Sequence, residues 1–125
     1  MDDQEFLSSV AQRANVEPET ARVYASATLT TLAERISGGE ARDLAAQLPK
    51  SMKDPLCAGD EPAEAFGADE FVRRVSDRTH VDPGQAEDAA RAVLVTVREA
   101  VSPGEFDDVT SQLPQDYRTL VGPMA

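Results

Sequence analysis

Glu40 and Asp43 stand three residues apart, and so do Glu105 and Asp108. On a helix that spacing brings both carboxylates of a pair onto one face, which makes each pair a candidate metal-ligating face. Two features argue against it. Dinuclear helical bundles set Glu-x-x-His pairs on facing helices, whereas His80 is the only histidine here. The glutamates also have a local duty. Ser37-Gly-Gly-Glu40 and Ser102-Pro-Gly-Glu105 read as capping boxes: the serine oxygen accepts from the N3 amide, and the glutamate reaches back to the N-cap amide. No metal and no cofactor is expected on this donor set.

Nucleophilic catalysis fares no better. It needs a nucleophile beside a base. His80 falls at a helix end, where a solvated C-terminal cap explains it. Cys57 has no histidine or cation beside it to lower its pKa, and reads as a small, half-buried structural residue. No G-x-x-x-x-G-K-[ST] or G-x-G-x-x-G stretch cradles a phosphate, and zinc-ligand spacings are absent. No catalytic residue can be named, and the chain is expected not to be an enzyme.

The elements that would position these residues come in two copies. At a constant offset of 65 positions, Phe6 falls on Phe71, Val10 on Val75, Pro18 on Pro83, Leu29 on Leu94 and Leu48 on Leu113. Polar residues repeat as well: Arg13 with Arg78, Glu34 with Glu99, Asp43 with Asp108, and Gln47 with Gln112. Their structural explanation is a lock within each unit, with Arg–carboxylate bonds joining its first and third helices. The functional alternative is a pair of equivalent recognition patches.

Each copy spells the same run of helices. Phe6, Leu7, Val10 and Ala14 step at a 3.6-residue period, as do Phe71, Val72, Val75 and Thr79. A long helix over 18–36, and again over 83–101, opens on a proline at its first position. Its buried stripe is Ala21, Ala25, Thr28, Leu29, Leu32 and Ile36, and then Ala86, Ala90, Val93, Leu94, Val97 and Val101. The third helix begins at the capping serine and stops at Pro49 or Pro114. A short last helix carries Met52 and Leu56, or Tyr117 and Val121, with Pro55 expected to shorten the first copy's version. The fold class is therefore all-α: an internally duplicated helical bundle of two three-to-four-helix repeats related by pseudo-twofold symmetry. The repeats span 1–57 and 68–125, with an acidic, breaker-rich linker over 58–67 that Phe66 pins to the body. Each repeat is marginal alone at this size, so both are expected to pack as one compact domain.

Composition narrows the partners. The 125 residues carry 23 acids against 12 bases, a net charge of −11. Nucleic acid and anionic membranes are both disfavoured by that sign. No apolar run is long enough to span a bilayer. The acidic Met-Asp-Asp-Gln-Glu opening is unlike a signal peptide, and the lone cysteine gives no sign of an oxidising compartment. A cytoplasmic protein is expected.

Two stretches carry a resemblance: G-G-E-A-R-D-L-A-A-Q-L-P at 38–49 and P-G-E-F-D-D-V-T-S-Q-L-P at 103–114, together with the E-F-[LV]-x-x-V openings at 5–10 and 70–75. The chain resembles the uncharacterised family called domain of unknown function 2267 over nearly its whole length. The resemblance implies a small, duplicated, helical, cytoplasmic protein with no established activity, and it carries over no catalytic residues. The favoured function is a non-enzymatic interaction module with a protein partner or self-association. The alternative is a small-ligand or metal-dependent protein with a site between the repeats, drawing on Arg13, Asp43, Gln47, Arg78, Asp108 and Gln112.

Overall fold

The computed structural model describes residues 1–57 and 63–122, here the N-terminal and C-terminal halves. The described residues form eight α-helices: α1 (Asp3–Ala14), α2 (Pro18–Arg35), α3 (Gly38–Gln47), α4 (Lys53–Leu56), α5 (Ala68–Thr79), α6 (Pro83–Ala100), α7 (Pro103–Thr110) and α8 (Arg118–Val121). A single 3-10 turn precedes α4 over Lys50–Met52, and another precedes α8 over Gln115–Tyr117. Five of the linker residues, 58–62, lie outside the described residues.

Local chemistry sets these boundaries. α1 opens on a full capping box, in which Asp2 Oδ1 accepts from Glu5 N at 2.8 Å and Glu5 Oε1 accepts from Asp2 N at 3.3 Å. Pro18 and Pro83 open the two long helices, and Asp82 caps α6 through Gln85 N at 2.8 Å. α1 and α5 each end on a residue in the left-handed conformation, Asn15 at φ 57° and His80 at φ 61°. Asn and His tolerate that region better than most residues. His80 is exposed and its amide donates to Ser76 O, so it is the solvated cap that its position indicates.

α2 and α6 form the centre of the bundle and touch one another. α1 packs on α2 and also on α6, while α5 packs on α6 and also on α2. Each half therefore lends its first helix to the other half's long helix. α4 lies against α2, α8 against α6, and α3 meets α7. All the expected stripe residues of both long helices are buried, and all but Thr28 join one contiguous apolar cluster that takes side chains from both halves. At roughly 25 cal/mol per Å² of apolar area removed from water, this shared cluster is the main force holding the halves together.

The descending segment after 62 is tied down as its composition suggests. Phe66 packs against the core, and its carbonyl accepts from Arg35 Nε at 2.8 Å and from the Tyr117 hydroxyl at 2.9 Å. The Arg74 guanidinium lies 4.0 Å from the Phe66 ring centroid, a cation–π contact. Tyr117 is fully buried, edge-on to Phe71 with centroids 5.7 Å apart.

Two expectations need correction. Cys57 is exposed rather than half-buried, because Leu56 before it takes the core position and α4 ends there. Pro55 does not shorten α4, which is four residues long like α8. It sits in the first turn, where its missing N–H has no intrahelical acceptor to lose.

Candidate functional site

The repeated polar residues do not lock each unit internally. They lock one half to the other. Arg13 of α1 donates to Thr96 Oγ1 at 2.8 Å and to Glu99 Oε1 at 2.6 Å, both on α6. Arg78 of α5 donates to Thr31 Oγ1 at 2.7 Å and to both Glu34 oxygens at 2.8 and 2.7 Å, all on α2. The first helix thus reaches the long helix of the opposite half, not the third helix of its own. The reason is packing: α1 lies in contact with α6 and α5 with α2, so the guanidinium forks meet those carboxylates first. Thr31 and Thr96 are identical residues at the same offset, a signal present in the sequence. Each hydroxyl donates back to the carbonyl four residues earlier at 2.8 Å, leaving its oxygen free to accept from the arginine.

The glutamines cross over in the same reciprocal way. Gln112 Oε1 accepts from Ser37 N at 2.8 Å, and Gln47 Oε1 accepts from Ser102 N at 2.7 Å. Those are the N-cap amides that a capping-box glutamate would otherwise take. Only half of each expected box forms: Ser37 Oγ accepts from Glu40 N and Ser102 Oγ from Glu105 N, both at 3.2 Å. A glutamine from the other half displaces the glutamate from the remainder. We expect Ser37→Ala and Ser102→Ala each to lower stability by ~1 kcal/mol, the usual value of a serine N-cap. Chemical denaturation of both variants checks this, and unequal losses would show that the two caps are not equivalent.

The displaced glutamates meet. One carboxylate oxygen from each of Glu40, Asp43 and Glu105 lies within 4.8 Å of the others, where α3 and α7 touch. Glu105 is only 8% exposed. Its Oε2 and the Glu40 Oε1 are both buried without a hydrogen-bond partner. Two ionised carboxylates are acceptors only, so this contact calls for a positive species between them, either a proton or a cation. Burial, the adjoining Glu40 carboxyl, and the charges of Asp43 and Asp108 push the Glu105 carboxyl up to about 8. Glu40 and Asp43, like Glu105 and Asp108, were singled out from their spacing, with capping as a further explanation of the glutamates. Three of the four carboxylates, Glu40, Asp43 and Glu105, gather at one place.

The six repeated positions therefore divide. Arg13, Arg78, Gln47 and Gln112 are committed to contacts between the halves, whereas Asp43 belongs to the carboxylate cluster and Asp108 acts on it through its charge. They do not converge on one concave pocket. The surface hollow that includes Arg13, about 500 Å³, is otherwise lined by Ala14, Asn15, Asp88, Arg91, Ala92 and Val95. A further ion-pair hub, absent from the sequence reading, surrounds Arg74. It holds Glu34, Glu64 and Glu70 at 3.2, 3.0 and 2.9 Å. The Arg73 guanidinium, with that of Arg74, holds the Glu70 carboxyl down at about 2.

No helix among the described residues is long and apolar enough to cross a membrane. Residues 2–120 match the model of a family described as "Uncharacterized conserved protein (DUF2267)". No curated protein matches the chain.

Proposed function

This chain belongs to the DUF2267 family of uncharacterised conserved proteins, and we propose that it is a non-enzymatic binding module whose ligand enters the joint between its halves. The module is an internal duplication with pseudo-twofold symmetry. Supporting this are helices that start and end at the same offset, and the Arg13–Glu99 and Arg78–Glu34 bonds that mirror one another. Under that symmetry Glu40 faces its own counterpart Glu105, and the pseudo-axis passes through the carboxylate cluster.

One observation carries the reading: the half-buried Glu40 and the buried Glu105 bring orphaned oxygens together where glutamines from opposite halves cap α3 and α7. Holding two acidic groups together away from water is costly, since one of them must be neutralised, and a structural role alone would be served better by apolar residues. Docking of a protein through an apolar strip has less support. Among the described residues, Met1 and Val23 are the exposed large apolar side chains, well short of the contiguous patch that marks such surfaces. A cytoplasmic setting suits the lone Cys57 and the acidic composition.

Amide chemical shifts test the reading. Ca²⁺, Mg²⁺, Mn²⁺, spermidine and guanidinium are titrated separately into labelled protein. At least one should shift the amides of Glu40, Asp43, Glu105 and Asp108 in a saturable manner. Shifts confined to other surfaces, or none with any of the five, would remove the joint as a binding site.

A further inference from the structure

We propose that Glu40, Asp43 and Glu105 hold one divalent cation of the Ca²⁺ type between α3 and α7, clasping the two halves. The proposal rests on the joint being a binding site, and names what binds there.

Three observations converge. The donor atoms are hard carboxylate oxygens from two different helices, gathered within 4.8 Å of one another. Ca²⁺ takes oxygen at about 2.3–2.6 Å, so ligands on opposite sides of the ion stand roughly 5 Å apart. The three oxygens fit within that span, and Ca²⁺ tolerates flexible geometry where Mg²⁺ demands a near-ideal octahedron. Secondly, Glu105 Oε2 belongs to a side chain more than nine-tenths buried, and has no hydrogen-bond partner. A metal–oxygen bond satisfies such an atom. Thirdly, Gln47 and Gln112 take over the capping of Ser102 and Ser37, so Glu40 and Glu105 turn to one another instead of to the N-cap amides. Asp43 is exposed at the mouth of the cluster and gives the ion a route in from solvent. Water completes the coordination sphere, as it does in Ca²⁺ sites with few protein ligands.

Incomplete protein ligation predicts a modest affinity, with Kd on the order of 10⁻⁴ M, within the range of weaker Ca²⁺ modules. Isothermal titration of the full chain with CaCl₂ at constant ionic strength, after chelator treatment, tests the proposal. The expected result is one saturable site per chain, weakened at least tenfold in Glu105→Gln and in Asp43→Asn. Glu19→Gln, an exposed change on α2 away from the cluster, should leave it unchanged. Glu105→Gln keeps the shape of the side chain and is neutral like the protonated carboxyl, so it is expected to fold, and Asp43→Asn alters an exposed residue. The two variants therefore report independently. No saturable heat up to 10 mM CaCl₂ (roughly a hundred times the expected Kd) would overturn the proposal, as would binding that both variants leave intact. If spermidine or guanidinium perturbs the joint while Ca²⁺ does not, the cation is organic: the metal site falls and the joint stands as the binding site. If no probe perturbs it, both fall.

Discussion

Residues 1–57 expressed alone are expected to lose the cooperative monomeric fold. In the full chain α1 packs on α6 and α2 on both α5 and α6, so cutting after residue 57 uncovers Leu29, Leu32 and Ile36, each at most 1% exposed. It also strands the Arg13 fork and the Gln47 carbonyl oxygen, whose partners lie on the missing half. A fragment of this size buries too little surface to offset its chain entropy. The loss is of the same order as the whole stability of a small domain, roughly 5–15 kcal/mol. The fragment should be largely unfolded, or should recruit a second copy of itself in an isologous pair that stands in for the absent half. Circular dichroism with sedimentation velocity distinguishes these results. A cooperative, monomeric fragment would mean that the halves are independent domains.

The second large effect concerns pH. In the metal-free protein the Glu105 carboxyl sits at about 8, against its ordinary 4.5, through burial and the facing carboxyls of Glu40, Asp43 and Asp108. A carboxyl raised in the folded state binds its proton more tightly there than in the unfolded chain. The stability it contributes is full below about 4.5 and drains away as pH rises through about 8. At about 1.4 kcal/mol per unit, and less where two carboxyls share the proton, the wild-type chain should lose about 2–4 kcal/mol between pH 5 and pH 9. Glu105→Gln should flatten that slope and be the more stable protein at pH 9. The depressed carboxyls, Glu34, Glu70 and Asp3, work in the opposite sense, losing their contribution as the medium turns acid. The window above pH 5 therefore isolates Glu105, and Tyr117, pushed up to about 12 by burial, titrates beyond it. Urea midpoints at pH 5, 7 and 9 in chelator-treated buffer provide the measurement. Parallel pH profiles for wild type and variant would show that Glu105 is not held protonated.

The same pair explains why the two effects are linked to one joint. Whatever neutralises Glu105, proton or cation, acts where α3 meets α7 and therefore on the contact between halves. Binding to the native state alone raises apparent stability by mass action, so Ca²⁺ should offset the alkaline loss.

The helices themselves were legible in the residues because the forces that bound them act over three or four positions. Pro18 and Pro83 start the long helices, Ser37 and Ser102 cap the third ones, and the apolar stripes identify the buried faces. Partners were not legible. An offset of 65 pairs Arg13 with Arg78 and Glu34 with Glu99, but it is silent on whether each arginine meets the glutamate of its own copy or of the other. Both arrangements are equally symmetric in sequence. Docking chose the crossed one, since α1 lies on α6 and α5 on α2. The glutamines show the same limit. The S-x-x-E pattern correctly placed two N-caps, yet a glutamine 75 positions from Ser37, and another 55 positions from Ser102, reached those amides instead. Capping boxes are local and so can be read locally. The carboxylate pair exists only because two distant helix ends meet and free each other's glutamates, and that is decided by tertiary packing alone.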